Sequence, residues 1–198
     1  MIRAVLFDFY SVWTPDKISY YLAVSQLVGP EIYKEMSDLV DQYYHGQVDI
    51  DQISDSFRVK LGHPDISVNQ FKLSEKNISP QIVEFMRNLH EHFLKIGILA
   101  NLGNQEYGLL HDFNEHNQLF EVIASPLSFK VSRPLLSKEV FAQALQTIGE
   151  PLDNCIYVSG NKDYLSFAEL LGMKTIQFEG YKTLKTYIDN MVEQDMPK

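Results

Sequence analysis

The sequence has a single cysteine, no long apolar stretch and fewer basic than acidic residues. One cysteine cannot form an internal disulfide, which is typical of a protein from a reducing compartment. No apolar run approaches the roughly 18 residues that a membrane-spanning helix requires, and Asp8 interrupts the stretch in which a signal peptide would be apolar. The 17 basic and 26 acidic residues give a net charge of −9, which opposes binding to a phosphate backbone. We therefore expect a cytoplasmic protein that binds neither nucleic acid nor membranes, and no particular protein partner is indicated.

Uninterrupted apolar runs, separated by helical patterns, make up most of the chain. A run without alternation is typical of a strand that is buried on both faces of a parallel sheet. Such runs cover residues 4–7, 96–100, 155–158 and 174–178, and a weaker one covers 121–124. Apolar residues at helical spacing predict helices over 79–95, 106–119, 137–148, 164–171 and 183–192. This alternation predicts the α/β class, with a Rossmann-like parallel sheet sandwiched by helices.

The segment 14–78 differs from the remainder because it contains no convincing strand. Its apolar spacing predicts helices over 16–27, 30–44 and 49–61, with a weaker one near 68–76. We therefore expect two units in the 198 residues: an α/β core domain formed by 1–13 and 79–198, and an inserted helical cap formed by 14–78.

Polar residues follow several of the predicted strands at the points where the strands end. In open parallel sheets, ligands bind at the carboxyl ends of the strands. The residues that this rule selects are Asp8 and Tyr10 after the first strand, Asn101 after the second, Ser159, Asn161 and Asp163 after the strand at 155–158, and Arg133 in a loop beyond the weak strand. We expect the candidate active site to be built from these side chains.

Five short motifs, in order along the chain, resemble those of the haloacid dehalogenase (HAD) superfamily. Residues 6–12 are similar to its first motif, whose leading aspartate attacks a phosphorus or carbon centre; here that residue is Asp8. Residues 98–101, 119–125, 131–134 and 156–163 resemble the later motifs, and the segment 14–78 resembles the small helical cap of one large subgroup. The resemblance covers essentially the whole chain and implies a HAD-like fold with Asp8 as the nucleophile.

Four positions depart from the phosphatases of that superfamily. Tyr10 stands where those enzymes have a second aspartate, and a phenol with a pKa near 10 is a poor base at neutral pH. Ala100 replaces a Ser or Thr that holds the transferring group, and Arg133 replaces a lysine. Gly160 replaces an acid that binds Mg²⁺. We therefore expect weak phosphatase activity, or none.

Magnesium is the cofactor that the resemblance would imply. Mg²⁺ requires near-octahedral oxygen ligands, including one or two carboxylates. With Gly160 in place of an acid, only Asp8 and Asp163 remain as carboxylate ligands. We expect no cofactor, and Mg²⁺ binding, if there is any, through Asp8 and Asp163.

Two of the departures resemble the metal-independent 2-haloacid dehalogenases of the same superfamily. These enzymes carry Asp-x-Tyr in the first motif, as at Asp8 and Tyr10, and Ser-Ser-Asn-x-x-Asp in the fourth, which residues 159–163 match with one residue missing. The resemblance implies that Asp8 attacks a carbon that bears a halide and forms an ester. It also implies that Asn161 and Asp163 orient the hydrolytic water.

Several alternatives remain open at this point. The chain is either a HAD-like hydrolase with an altered active site or a pseudoenzyme that binds a ligand or a protein through the same fold. Arg133 is either a clamp for a small anionic molecule or an ordinary exposed arginine. Asn161 and Asp163 are either site residues or the cap of the following helix. Trp13 and Tyr20 either line the substrate site or belong to the apolar core of the cap and its interface with the core domain.

Overall fold

A five-stranded parallel sheet is formed by the apolar runs of the sequence. The computed structural model describes residues 1–14, 30–61, 74, 76, 78–92, 94–129 and 137–195. The strands are β1 (Ala4–Phe7), β2 (Lys95–Leu99), β3 (Val122–Ala124), β4 (Cys155–Ser159) and β5 (Lys174–Gln177). Their order is β3-β2-β1-β4-β5 and all neighbours are parallel. This arrangement confirms the predicted α/β class.

Helices connect the strands and cover both faces of the sheet. They are α1 (Pro30–Tyr44), α2 (Ile50–Leu61), α3 (Pro80–Glu91), α4 (Asn104–Asn117), the short α5 (Pro126–Phe129), α6 (Lys138–Ile148), α7 (Lys162–Leu170) and α8 (Tyr181–Asp195). A π-turn spans Phe9–Trp13 directly after β1. Among the described residues, none of the helices combines the length and the apolar character that crossing a membrane demands.

The unbroken apolar sequence of β1 reflects burial on both faces. Successive side chains of a strand point to opposite sides of the sheet. Val5 and Phe7 pack with α3 and α8, whereas Leu6 packs with α6 and α7. All four residues of β1 are fully buried, which places the strand at the centre of the core.

The described part of the segment 14–78 contains helices and no strand. Helices α1 and α2 pack against each other around a small apolar cluster of Met36, Val40, Tyr43 and Ile53. The helices predicted at 16–27 and, for the most part, at 68–76 lie outside the described residues. The division into core domain and cap stays a prediction.

Gly97 in β2 allows close approach of its two neighbouring strands. A Cβ atom at this position would lie 2.6 Å from Leu6 Cδ2 and 2.6 Å from Val122 Cγ1. We expect Gly97→Ala to lower the free energy of unfolding by about 1–3 kcal/mol, because the core must shift to admit the methyl group. Gly108→Ala in α4 is the control: nothing lies within 4 Å of its Cβ, and we expect a gain of about 0.5–1 kcal/mol. Urea denaturation measures both, and equal effects would contradict the packing argument.

Candidate active site

The centre of the sheet brings polar side chains to its carboxyl edge. Phe7 of β1 is in register with Ile98 on one side and Val158 on the other. Asp8 follows directly, and its backbone N–H donates to the Val158 carbonyl at 2.9 Å. The polar residues that become buried at this edge include Asp8, Asn101 and Ser159. The strand order reverses between β1 and β4, which is where ligands bind in open α/β sheets.

Two serine hydroxyls hold one oxygen of the Asp8 carboxylate. Ser159 donates to Asp8 Oδ2 at 3.1 Å, and Ser11 in the π-turn donates to the same oxygen. Each serine oxygen accepts a backbone N–H in turn: Ser11 Oγ from Gly160 at 2.8 Å, and Ser159 Oγ from Asn161 at 3.0 Å. The backbone N–H groups therefore orient both hydroxyl protons toward the carboxylate.

Asp8 is buried among neutral groups. Burial raises the pKa of its carboxyl group, and the hydrogen bonds from Ser11 and Ser159 offset part of this rise. The ion pairs that the described residues form lie elsewhere on the surface. Asp8 is thus a carboxylate whose charge is stabilised by hydrogen bonds rather than by a described cation.

Asn101 forms a hydrogen bond with Tyr164, a residue that the motifs of the sequence do not single out. Its side-chain amide donates to the Tyr164 hydroxyl at 3.1 Å. The pKa of Tyr164 is raised by burial and by the negative charge of Asp8, so this phenol stays protonated and is a hydrogen-bond donor. The helical period of α7 is the sequence signal that could have identified Tyr164, because residues about 3.6 positions apart lie on the same face of a helix.

Asn161 and Asp163 lie at the exposed start of α7. The side-chain oxygen of Asn161 accepts the backbone N–H groups of Asp163 at 2.9 Å and Tyr164 at 3.4 Å. Asn161 is therefore the N-cap of α7. The exposed Asp163 carboxylate occupies the first turn, where negative charge is favourable. Among the described residues, neither side chain forms a hydrogen bond with Asp8.

The Tyr10 hydroxyl is bound by a buried carboxyl group that sequence reasoning missed. Tyr10 donates to Glu106 Oε1 at 2.9 Å, and Tyr43 of α1 donates to Glu106 Oε2 at 2.5 Å. The Gly103 N–H also donates to Oε2, at 3.1 Å. Burial raises the pKa of Glu106, and the hydrogen bonds from both tyrosines partly offset it. Gly103 and Glu106 have the spacing of a capping box at the start of α4, which predicts the hydrogen bond from the Gly103 N–H to Glu106.

Trp13, the one further candidate within the described residues, does not line the site. Trp13 is completely buried in the core, with its ring centroid 6.0 Å from that of Phe113 and 4.9 Å from that of Phe120. It presents no surface to solvent, and it packs in the apolar cluster of the sheet core rather than in the cluster between α1 and α2. Tyr20 and Arg133 lie outside the described residues.

The described groups around Asp8 do not fit a magnesium site. Asp8 Oδ2 already accepts two hydroxyl protons, and the Asp163 side chain is on the surface of α7. Gly160 has no ligand atom in a side chain, and its backbone packs against Ser11. Among these described groups Asp8 supplies the one carboxylate, and one of its oxygens is already engaged, so nearly all of the near-octahedral oxygen ligands that Mg²⁺ requires would have to come from water.

Comparisons with known proteins identify the fold. No protein-family model and no curated protein matches this chain. A predicted HAD-like hydrolase from Porphyromonas gingivalis is 14% identical; the match covers 96% of this chain and 98% of that chain with a TM-score of 0.65. A HAD-family enzyme from Bacteroides thetaiotaomicron, in complex with magnesium and inorganic phosphate, is 16% identical over 93% of this chain and 99% of that chain, with a TM-score of 0.64. An L-2-haloacid dehalogenase from Xanthobacter autotrophicus is 17% identical over 89% of this chain and 77% of that chain, with a TM-score of 0.57.

The sequence identities of these three matches are low, but the matches cover 89–96% of this chain. The motif order, the position of Asp8 after the central strand and the structural matches agree with one another. The chain therefore has the α/β fold of the haloacid dehalogenase superfamily.

Proposed function

We propose that the protein is a metal-independent hydrolase that uses Asp8 as a nucleophile on a carbon centre. The observation that carries this proposal is the buried Asp8 carboxylate, which two serine hydroxyls hold at the carboxyl end of the central strand. The lack of a second carboxylate among the described groups around it supports metal independence. Tyr10, which gives the first motif the Asp-x-Tyr pattern of the 2-haloacid dehalogenases, supports a carbon rather than a phosphorus centre.

The proposed reaction has two displacement steps. A carboxylate oxygen of Asp8 attacks a carbon that bears a leaving group, so a C–O bond forms and the leaving group departs with the electron pair. Water then adds to the carboxyl carbon of the resulting ester, which releases the alcohol and regenerates Asp8. The sum is R–X plus water giving R–OH, X⁻ and a proton that passes to solvent.

Neutral donors define the rest of the proposed site. Asn101 and the protonated Tyr164 hydroxyl lie at the same edge of the sheet and are suited to hydrogen-bond the substrate or the departing anion. We propose a short 2-substituted carboxylic acid as the small anionic substrate, with Arg133 as its clamp. The position of Arg133 remains a prediction from the sequence.

A substrate panel tests this function. We expect halide release from 2-chloropropionate with and without a chelator, and little or no turnover of p-nitrophenyl phosphate with Mg²⁺. In a single turnover in H₂¹⁸O, the label is expected in the Asp8 carboxyl group, since water attacks the carboxyl carbon of the ester. Phosphatase activity that a chelator abolishes, or halide release without label in Asp8, would contradict the proposal.

A pseudoenzyme is the second candidate, and one observation favours it. The Tyr10 hydroxyl donates to Glu106 and the Asp163 side chain is exposed, so neither forms a hydrogen bond with Asp8 in the structure. This candidate predicts no turnover in any arm of the panel. It also predicts that a short 2-hydroxy acid raises the melting temperature of the wild type but not of an Asp8→Ala variant.

A further inference from the structure

Ser11 and Gly160 fill the space beside the Asp8 carboxylate as a matched pair. A Cβ atom on Gly160 would lie 2.9 Å from Ser11 Cβ and 3.5 Å from Ser11 Oγ. The Gly160 N–H donates to that same oxygen at 2.8 Å. Gly160 does not have a positive φ, so its backbone conformation does not itself demand glycine. The contact with Ser11 is therefore the reason that a side chain is excluded at position 160.

A side chain at position 160 would point toward Ser11 and Asp8. The vector from Gly160 toward its absent Cβ points at Ser11, whose hydroxyl donates to Asp8 Oδ2. A side chain at position 160 would have to enter the volume that Ser11 occupies. A carboxylate in that volume would lie beside Asp8, and two adjacent carboxylates, with water completing the octahedral shell, are a ligand set that binds Mg²⁺ in proteins.

We infer that the Ser11–Gly160 pair takes the place of a divalent cation: the Ser11 hydroxyl occupies the cation's volume, and with Ser159 it holds Asp8 Oδ2 by hydrogen bonds. This inference deepens the proposed metal-independent function and rests on it for its meaning in catalysis. Ser11 is then a positioning residue. With Ser11 in place, an acidic side chain at position 160 would clash, so the single substitution Gly160→Asp cannot create a metal site beside Asp8.

Exchange of the pair tests the inference. Isothermal titration with MgCl₂ measures Mg²⁺ binding directly. We expect no measurable heat of binding for the wild type, for Ser11→Gly or for Gly160→Asp. The double variant S11G/G160D has room for the new carboxylate and is expected to bind Mg²⁺ at least tenfold more tightly than any of the three. Addition of Asp8→Asn to the double variant should remove this binding. Gly108→Asp is the control for an added acid, because nothing lies within 4 Å of that position.

The melting temperature tests the contact between Ser11 and position 160 without the double variant. We expect Gly160→Ala to lower the melting temperature in the wild type and to have little effect in the Ser11→Gly background, because the clashing Cβ is absent there. Additive effects would overturn the inference, as would Asp8-dependent Mg²⁺ binding by the wild type or a folded double variant that binds no Mg²⁺. None of these readouts requires turnover, so an inactive wild type would contradict the proposed function alone.

Discussion

Asp8→Asn is expected to abolish turnover while it raises stability at neutral pH. The amide is not a carboxylate nucleophile, and loss of a residue at the centre of covalent catalysis costs on the order of 10⁴-fold or more in rate. The asparagine oxygen still accepts the hydroxyl protons of Ser11 and Ser159, which hold the side chain in place. The variant buries no charge, so the desolvation cost of the wild-type carboxylate disappears.

The gain in stability from Asp8→Asn should depend on pH. Burial raises the pKa of Asp8 above its ordinary value of 3.8, so the folded protein binds this proton more tightly than the unfolded chain. The stabilisation that protonation supplies is fully present below the pKa of the unfolded chain and is lost as pH rises through the folded pKa. We therefore expect the melting temperatures of variant and wild type to be similar near pH 3 and to diverge toward pH 7, with the variant higher.

Thermal unfolding by circular dichroism across this pH range measures the difference. Asp112→Asn is a matched control, since Asp112 is an exposed aspartate on α4. A variant that is less stable than the wild type at neutral pH would contradict the electrostatic argument. Residual halide release by the variant at wild-type rates would contradict the nucleophilic role of Asp8.

Glu106→Ala is expected to lower the free energy of unfolding by about 3 kcal/mol or more. The substitution leaves the hydroxyls of Tyr10 and Tyr43 and the Gly103 N–H without their acceptor, and each unpaired buried group costs about 1–3 kcal/mol. The Tyr43 ring also packs on Gly103, where a Cβ atom would lie 2.1 Å from the ring. The same substitution should therefore speed hydrogen exchange in α1, which carries Tyr43.

Glu106→Gln removes the buried charge and keeps one of the two acceptor oxygens. The glutamine amide keeps an acceptor oxygen and removes the buried charge, so we expect a loss well below that of the alanine variant at pH 7. Glu115→Ala, an exposed substitution on the same helix, is expected to change stability by no more than about 0.5 kcal/mol. Urea denaturation at pH 7 compares the three variants. A glutamine variant as unstable as the alanine variant would contradict this expectation and show that both carboxylate oxygens are required.

The sequence by itself determined the sheet and the position of Asp8 on it. Strands that are buried on both faces are uninterrupted apolar runs, and this local pattern predicted four neighbouring strands, with the end of each within one residue of its observed position. Since the carboxyl ends of parallel strands share one edge, the placement of Asp8, Asn101 and Ser159 at that edge followed from the strand assignment alone. The cap of α7 by Asn161 was among the alternatives, because Asn is a frequent N-cap residue.

Only the tertiary structure decided which polar side chains face Asp8 and which partners they have. Ser11, Tyr164 and Glu106 are ordinary residues in the sequence. Their roles depend on the phase of a helix or turn and on hydrogen bonds to residues far along the chain, such as Tyr10 with Glu106. Asp163 illustrates the same limit, since its neighbour Tyr164 turns inward while Asp163 stays on the surface. A helix rotates by about 100° per residue, so a spacing that is uncertain by one residue moves a side chain from the site to solvent.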